Sequence, residues 1–322
     1  MQMSDVAPDG QVAIELPTLR LRSTVASGRW QAFMTALLFF CSLCSVATTV
    51  GIIAMLAYDT LAFFNDEQIK LSEFLTDTKW TLGQTQGEVS YGILPLLSGT
   101  LRITAIAMLI ALPMGVVSAV YLSEYAGKRT RAILKPTLEI LAGLPTVVLG
   151  YFAMVFITPY ILQPLGDFKT FNAASAGIAV GILCLPLVTS LAEDALRAVP
   201  IALREGSYGL GATRFETTIR VVIPAAVSGI VSAFLLALAR AIGETMVVAL
   251  AAGSTPTLTA DPRLQSQTMA GFIVNTFQSE SVIPGTLGYY SIYAVAAVLF
   301  LITFVITVIG QIIRRRYREI YV

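Results

Sequence analysis

Residues Trp30–Tyr58 read WQAFMTALLFFCSLCSVATTVGIIAMLAY, an apolar run without a charge, bounded by Arg29 and Asp59. A bilayer-crossing helix needs roughly 20 mostly apolar residues, and this run exceeds that length. Five further runs follow. Tyr91–Leu122 is interrupted only by Arg102, and Pro136–Gln163 contains only Glu139. Thr170–Ala192 is uncharged, Val221–Ala252 carries Arg240 and Glu244, and Gly288–Ile313 runs uncharged into Arg314, Arg315 and Arg316. The pattern predicts an all-α polytopic membrane protein with six transmembrane helices.

Composition agrees with that reading. Hydrophobic residues make up 56% of the 322 and charged residues 13%, with a mean hydropathy of +0.76. A soluble domain would carry about 25% charged residues. The surplus apolar surface calls for lipid as its solvent. The N-terminus is polar up to the first run, and that run is too long for a signal-peptide core, so no cleavable signal is expected.

Several function classes lose their usual residues. Histidine is absent, which removes the commonest general base, the commonest transition-metal ligand and the Ser-His-Asp and Cys-His centres. No catalytic or metal-binding set is expected. Cys41 and Cys44 form a CxxC inside the first apolar run and, like Cys184, read as small apolar fillers. The net charge of +1 gives no pointer to nucleic acid.

Orientation follows from the Lys and Arg of the connections. Arg20, Arg22 and Arg29 precede the first span. Lys128, Arg129, Arg131 and Lys135 follow the second, and Arg197, Arg204, Arg214 and Arg220 follow the fourth. Arg314, Arg315, Arg316 and Arg318 follow the sixth. The alternate connections hold only Lys70, Lys79, Lys169 and Arg263. Both termini are therefore expected in the cytoplasm. The expected organisation is a cytoplasmic segment 1–29, a first span 30–58, an outward loop 59–90, a five-helix core 91–313 with a cytoplasmic loop 193–224, and a cytoplasmic tail 314–322. The acids of the outward loop, Asp59, Asp66, Glu67, Glu73, Asp77 and Glu88, suit either a docking surface or, more plainly, a solvated loop. Pro113 and Pro145 lie inside predicted spans, and proline removes a helix hydrogen bond. Gly143-Leu-Pro-Thr146 is thus either a simple kink or a half-helix junction.

The loop after span four reads LREGSYGLGATRFETTIRVVIP over 203–224. Pro200 suits the first turn of a short helix, and Gly209 and Gly211 suit its end. Thr213 and Glu216 have capping-box spacing. Two short helices are expected to meet at an elbow around Gly211-Ala212.

Four charges fall within the predicted spans. Glu139 sits close to a helix start, and Arg102 about one turn from an outer end. Arg240 and Glu244 lie deepest, where insertion of an Arg or Asp costs about 2.5–3.5 kcal/mol. Four residues apart on one helix, they are expected to share a face and pair. The pair reads either as interhelical glue or as part of an anion path, since guanidinium matches tetrahedral oxyanions through parallel hydrogen bonds.

The 203–224 segment resembles the EAA loop of ABC importer permeases. Glu205-Gly206-Ser207 stands for Glu-Ala-Ala, Gly211 follows at the family's distance, and Val221, Ile223 and Pro224 close the motif. Gly143-Leu-Pro-Thr146 and Arg240-Ala-Ile-Gly-Glu-Thr245 resemble the phosphate permeases PstC and PstA. Glu244-Thr-Met-Val-Val-Ala-Leu-Ala-Ala-Gly253 is closer to PstC. The resemblance spans about 92–313. It implies a type I importer permease (MetI-like) core, with Arg240, Glu244, Thr245 and, less directly, Arg102 on the substrate path. It also implies that Glu205, Gly206, Ser207, Gly211, Ala212, Thr213 and Pro224 form a coupling loop to an ATPase. Gly127-Lys128 is followed by Arg129 rather than Ser or Thr, so no Walker A motif is present. ATP and Mg are then expected on two separate PstB-like ATPase subunits. The other implied partners are a PstA-like permease, a PstS-like extracytoplasmic binding protein, phosphate and the bilayer of the bacterial inner membrane. Rival readings are a permease for sulfate, molybdate or phosphonate, the PstA-type partner itself, and a membrane scaffold or sensor. An intramembrane enzyme would need a constellation that the sequence lacks.

Overall fold

The computed structural model describes residues 25–67, 69–81, 89–279 and 283–316. Most of the segment 1–29, Glu88 and the tail beyond Arg316 lie outside them. Two units are distinguished, 1–54 and 55–322. The described residues of the first all lie on one helix, α1 (Val25–Phe64), whose last ten residues belong to the second. The apolar side chains of α1 from Trp30 to Met55 are exposed, as suits a lipid-facing span. Cys41 and Cys44 are exposed on it. They are therefore surface residues, not packed fillers; only Cys184 is buried.

The second unit contains the remaining spans. Helix α3 (Leu94–Val120) passes through Pro113 without a break and ends in a π-helical turn at Tyr121–Tyr125. Helix α4 covers Lys128–Ala142, and α5 (Thr146–Phe152) continues through a π-helical stretch, Ala153–Leu162. Helix α6 is Ala173–Arg197, capped by Asn172, whose side chain accepts from the Ser175 N–H at 2.7 Å. Among the described residues, six helices are long and apolar enough to cross a membrane, at 30–64, 94–125, 146–165, 173–197, 214–242 and 287–313.

Span three departs from the sequence expectation. It starts at Thr146, not Pro136, because 128–142 is a separate amphipathic helix. Lys128, Arg131 and Lys135 fall on one side of it at helical spacing, away from exposed Ile133 and Ile140. The chain breaks at Gly143-Leu144-Pro145, which makes this site a junction, not a kink. Glu139 consequently lies near the end of α4 instead of a helix start.

The centre of this unit is built from small residues. Ala107, Ala111, Ala176, Ala179 and Ala237 are fully buried. A Cβ on Gly177 would meet Ile106 at 2.6 Å, and one on Gly181 would meet the Ala107 carbonyl at 3.0 Å. Such residues let α3 and α6 approach closely, which is how helices associate where lipid removes the hydrophobic drive.

A second core lies beyond the start of α3. Helix α2 (Leu71–Thr76) and the strands β1 (Trp80–Thr81) and β2 (Ser90–Tyr91) form a small cap, with Trp80 opposite Tyr91. Phe63, Phe74, Trp80 and Phe272 are buried and meet edge to face, with Trp80 and Phe272 centroids 4.9 Å apart. The described part of 59–90 is therefore a folded aromatic cap, which corrects the solvated-loop expectation. Ser90 donates to the Asp77 carboxylate and holds its pKa below the ordinary value.

Candidate functional site

The elbow is built as its residues predict. Helix α7 (Ile201–Gly209) follows Pro200, and Gly211 turns the chain at φ +87°, where only glycine is unstrained. Thr213 then caps α8 (Arg214–Thr217). Its hydroxyl accepts from the Glu216 N–H at 3.3 Å, and the Glu216 carboxylate accepts from the Thr213 N–H at 2.9 Å. The second arm is not short. It continues through a π-helical turn, Thr218–Val222, into α9 (Ile223–Ile242), so it is the start of span five. Pro224 stands in the first turn of α9.

Two contacts stiffen the elbow. Ser207 and Thr217 share a hydrogen bond of 2.9 Å across its arms, and the Ala212 N–H donates to the Ser207 carbonyl at 3.2 Å. Glu205, Gly206, Gly211 and Thr213 are exposed, Ala212 half-buried. Apolar side chains stand beside them in the open: Leu210 is 91% exposed, with Ile201, Tyr208 and Phe215 also exposed. Exposed apolar groups grouped on a polar turn form a surface of the kind that meets a partner or a membrane. The sequence reading did not single out Leu210 or Phe215, although both lie in the quoted loop.

The charges within the apolar runs are arranged differently from the sequence expectation. Helix α9 stops at Ile242, Gly243 caps it, and the chain restarts as α10 (Met246–Ala251). Arg240 and Glu244 are thus not on one helix, and they form no ion pair among the described residues. Arg240 is exposed and lines a cavity of about 200 Å³ with Lys135, Glu139, Ser190 and Glu193. Glu244 is half-buried in the break, where its Oε1 accepts from the Val247 N–H at 3.4 Å. Thr245 Oγ1 donates to the Gly243 carbonyl at 3.1 Å. A broken helix inside a span is tolerated where it faces a cavity or other protein, and such breaks form transporter binding sites.

Arg102 lies apart from this group. Its Nη1 donates to the carbonyls of Thr259 at 2.7 Å and Asp261 at 2.9 Å. Its Nε and Nη2 are buried without a hydrogen-bond partner among the described groups. It therefore ties the loop after α10 to α3.

Two carboxylates emerged that the sequence reading missed. Glu193 is 1% exposed, in ion pairs with Arg131, with Lys135 at 3.4 Å and with Arg197 at 3.8 Å. It holds α4 against α6. The uncharged run of span four ends at Ala192, one residue short of it. Glu124, in the π turn after α3, pairs with Arg204 of the elbow at 3.1 Å. Its only sequence signal was a lone acid before the basic run 128–135.

Comparison with known proteins places these features. Residues 111–319 match the family described as binding-protein-dependent transport system inner membrane component. The chain is 34% identical over 222 residues to the probable ABC transporter permease protein YqgH of Bacillus subtilis, covering 69% of this chain and 71% of that protein. It is 32% identical over 257 residues to the phosphate transport system permease protein PstC of Mesorhizobium japonicum, covering 74% and 76%. It is also 32% identical over 223 residues to the phosphate transport system permease protein PstA 1 of Mycobacterium tuberculosis, covering 69% and 70%. Among solved structures, the chain resembles a bacterial alginate ABC transporter at TM-score 0.60 and 16% identity, covering 89% of this chain and 97% of that one. It also resembles the MetNI methionine ABC transporter in inward facing conformations, at TM-score 0.52 and 19% identity, covering 71% and 95%. These two likenesses show the fold alone.

Proposed function

The chain belongs to the binding-protein-dependent transport system inner membrane components, and from that premise we propose that it is the PstC-type permease subunit of an ATP-driven phosphate importer. The observation that carries the reading is Arg240, a cation in the last turn of α9 beside the helix break, open to a cavity and without an ion-pair partner among the described residues. A guanidinium left unpaired within a span is costly unless a cavity or a ligand serves it. Its planar fork matches two oxygens of a phosphate. Glu244 and Thr245, in the adjoining break, complete the proposed path. The carboxylate weakens anion retention, as conduction requires binding that also releases.

The remaining parts of the reading follow from the elbow. A PstA-like permease completes the path across the exposed faces of this chain. Two PstB-like ATPase subunits bind ATP and Mg²⁺, and one of them receives the elbow through Leu210, Phe215 and Glu205. A PstS-like binding protein delivers phosphate to the side of the aromatic cap. The complex sits in the bacterial inner membrane with both termini of this chain in the cytoplasm, the side rich in Lys and Arg. ATP-dependent closure shifts an existing equilibrium between two access states. Phosphate crosses without covalent chemistry on this chain.

The test is labelled uptake in cells deleted for the gene and restored with it. Phosphate uptake should return, and excess unlabelled sulfate or molybdate should leave it unchanged. Restoration of sulfate or molybdate uptake alone would move the chain to another oxyanion.

A further inference from the structure

Both arms of the elbow converge on one residue at the end of α3. From α7, Arg204 Nη2 binds Glu124 Oε1 at 3.1 Å. The same guanidinium donates to the carbonyls of Val199 at 2.6 Å and Leu196 at 2.8 Å, so it is fixed on its own side. From α8, Arg214 Nη2 donates to the Glu124 backbone carbonyl, and its guanidinium lies 5.2 Å from the Tyr125 ring centroid. Ser123 Oγ donates to the same Glu124 Oε1 at 2.9 Å. Glu124 is 7% exposed and Arg204 16%. A charge-assisted bond held this far from water is among the stronger polar contacts a protein makes.

Helix α3 and its terminal π turn then run as one rod from Leu94 to Tyr125, roughly 48 Å at 1.5 Å per residue. The far end of the rod is fastened as firmly. A Cβ on Gly99 would lie 2.3 Å from the Gln267 carbonyl, so backbone meets backbone there. Thr100 Oγ1 accepts from the Met269 N–H at 3.0 Å, and Arg102 holds the Thr259 and Asp261 carbonyls. That loop is bonded back to the end of α10, because the Ser266 N–H donates to the Ala252 carbonyl at 2.9 Å. Helix α10 begins at the break that carries Glu244 and Thr245.

We propose that α3 is the connecting rod of the transport cycle, with Glu124 the joint to the elbow and Arg102 the joint to the substrate break. Both are positioning residues: displacement of the elbow moves α3, and α3 moves the loop that sets α10. This inference rests on the importer reading above.

The experiment uses the complete complex in proteoliposomes, with labelled phosphate uptake and ATP hydrolysis measured together. The wild type must first show ATP-dependent phosphate uptake; failure there removes the importer reading, not the rod. Given a coupled wild type, Glu124→Gln keeps the shape and removes the charge. Phosphate carried per ATP hydrolysed should fall about tenfold, the size expected from one lost charge-assisted bond, with hydrolysis within about twofold of wild type. Arg102→Gln should lower the same ratio while leaving the phosphate KM unchanged. The double variant should fall no further than either single one, because the two joints act in series. Should Glu124→Gln fail to reach the membrane, Arg204→Lys, which keeps the charge and loses the fork, must show the reduced ratio. An unchanged ratio overturns the rod, whether both rates persist or both fall together. A raised phosphate KM in Arg102→Gln with an intact ratio also overturns it, and returns Arg102 to the path.

Discussion

Single glycines in the elbow separate composition from conformation. Gly206 stands where the importer motif has alanine, in helical backbone with open space around its missing Cβ. Gly206→Ala should therefore stiffen α7 by about 0.5–1 kcal/mol and leave uptake intact. Gly211 also has open space but sits at φ +87°, so Gly211→Ala should cost about 1–2 kcal/mol of backbone strain and weaken ATPase retention. Co-purification of the ATPase with each variant checks both; equal retention would mean that the turn geometry does not matter. Asp261 offers a test by pH. Arg263 binds its carboxylate with Nη2 at 2.9 Å and holds its pKa down to about 2. A depressed pKa gives a contribution that is complete above the ordinary value of about 3.9 and lost only as pH falls toward the folded one. Asp261 should thus add no pH dependence between about pH 5 and 8, and Asp261→Asn should keep the shape of the uptake profile. A shape change in that window would contradict the pairing.

At the scale of elements, the contact that most needs its charge is α4 against α6. Glu193 is buried, whereas Arg131 and Lys135 retain 26% and 32% exposure, so the cations can turn to solvent when the acid is lost. Glu193→Gln should destabilise the detergent-solubilised protein by about 2 kcal/mol, below the 3–5 typical of fully buried pairs. An unchanged thermal midpoint would show that α4 is held by packing alone. These elements also show where sequence was readable. The capping box at Thr213 and Glu216 and the turn at Gly211 are short-range chemistry, and the structure repeats them. The break at Gly143–Pro145 is marked by its proline even though the apolar window runs across it, whereas the break at Gly243–Thr245 carries no such mark and the apolar window joins α9 to α10. The Arg240–Glu244 pairing followed from that merged helix and failed with it. Glu124 was illegible because its partner Arg204 lies 80 residues away in sequence; Glu193 has Arg197 at helical spacing, but its tie to α4, through Arg131, spans 62 residues.

On the scale of the molecule, the membrane class and six spans follow from apolar length, and the elbow identifies the family. The division of labour between charges does not follow from either. Arg102, Arg240 and Glu244 look alike as charges in apolar runs, yet one clamps a loop while the other two flank an open break. Only packing separates them, because a guanidinium's role depends on which carbonyls reach it. Passage of phosphate by Arg240, as proposed, is tested by uptake in cells carrying Arg240→Gln or Arg240→Lys at membrane levels matched to wild type. Arg240→Gln should abolish phosphate uptake, and Arg240→Lys, a point charge without the bidentate fork, should retain a small fraction of it. Wild-type uptake by Arg240→Gln would remove Arg240 from the path and leave it a structural residue.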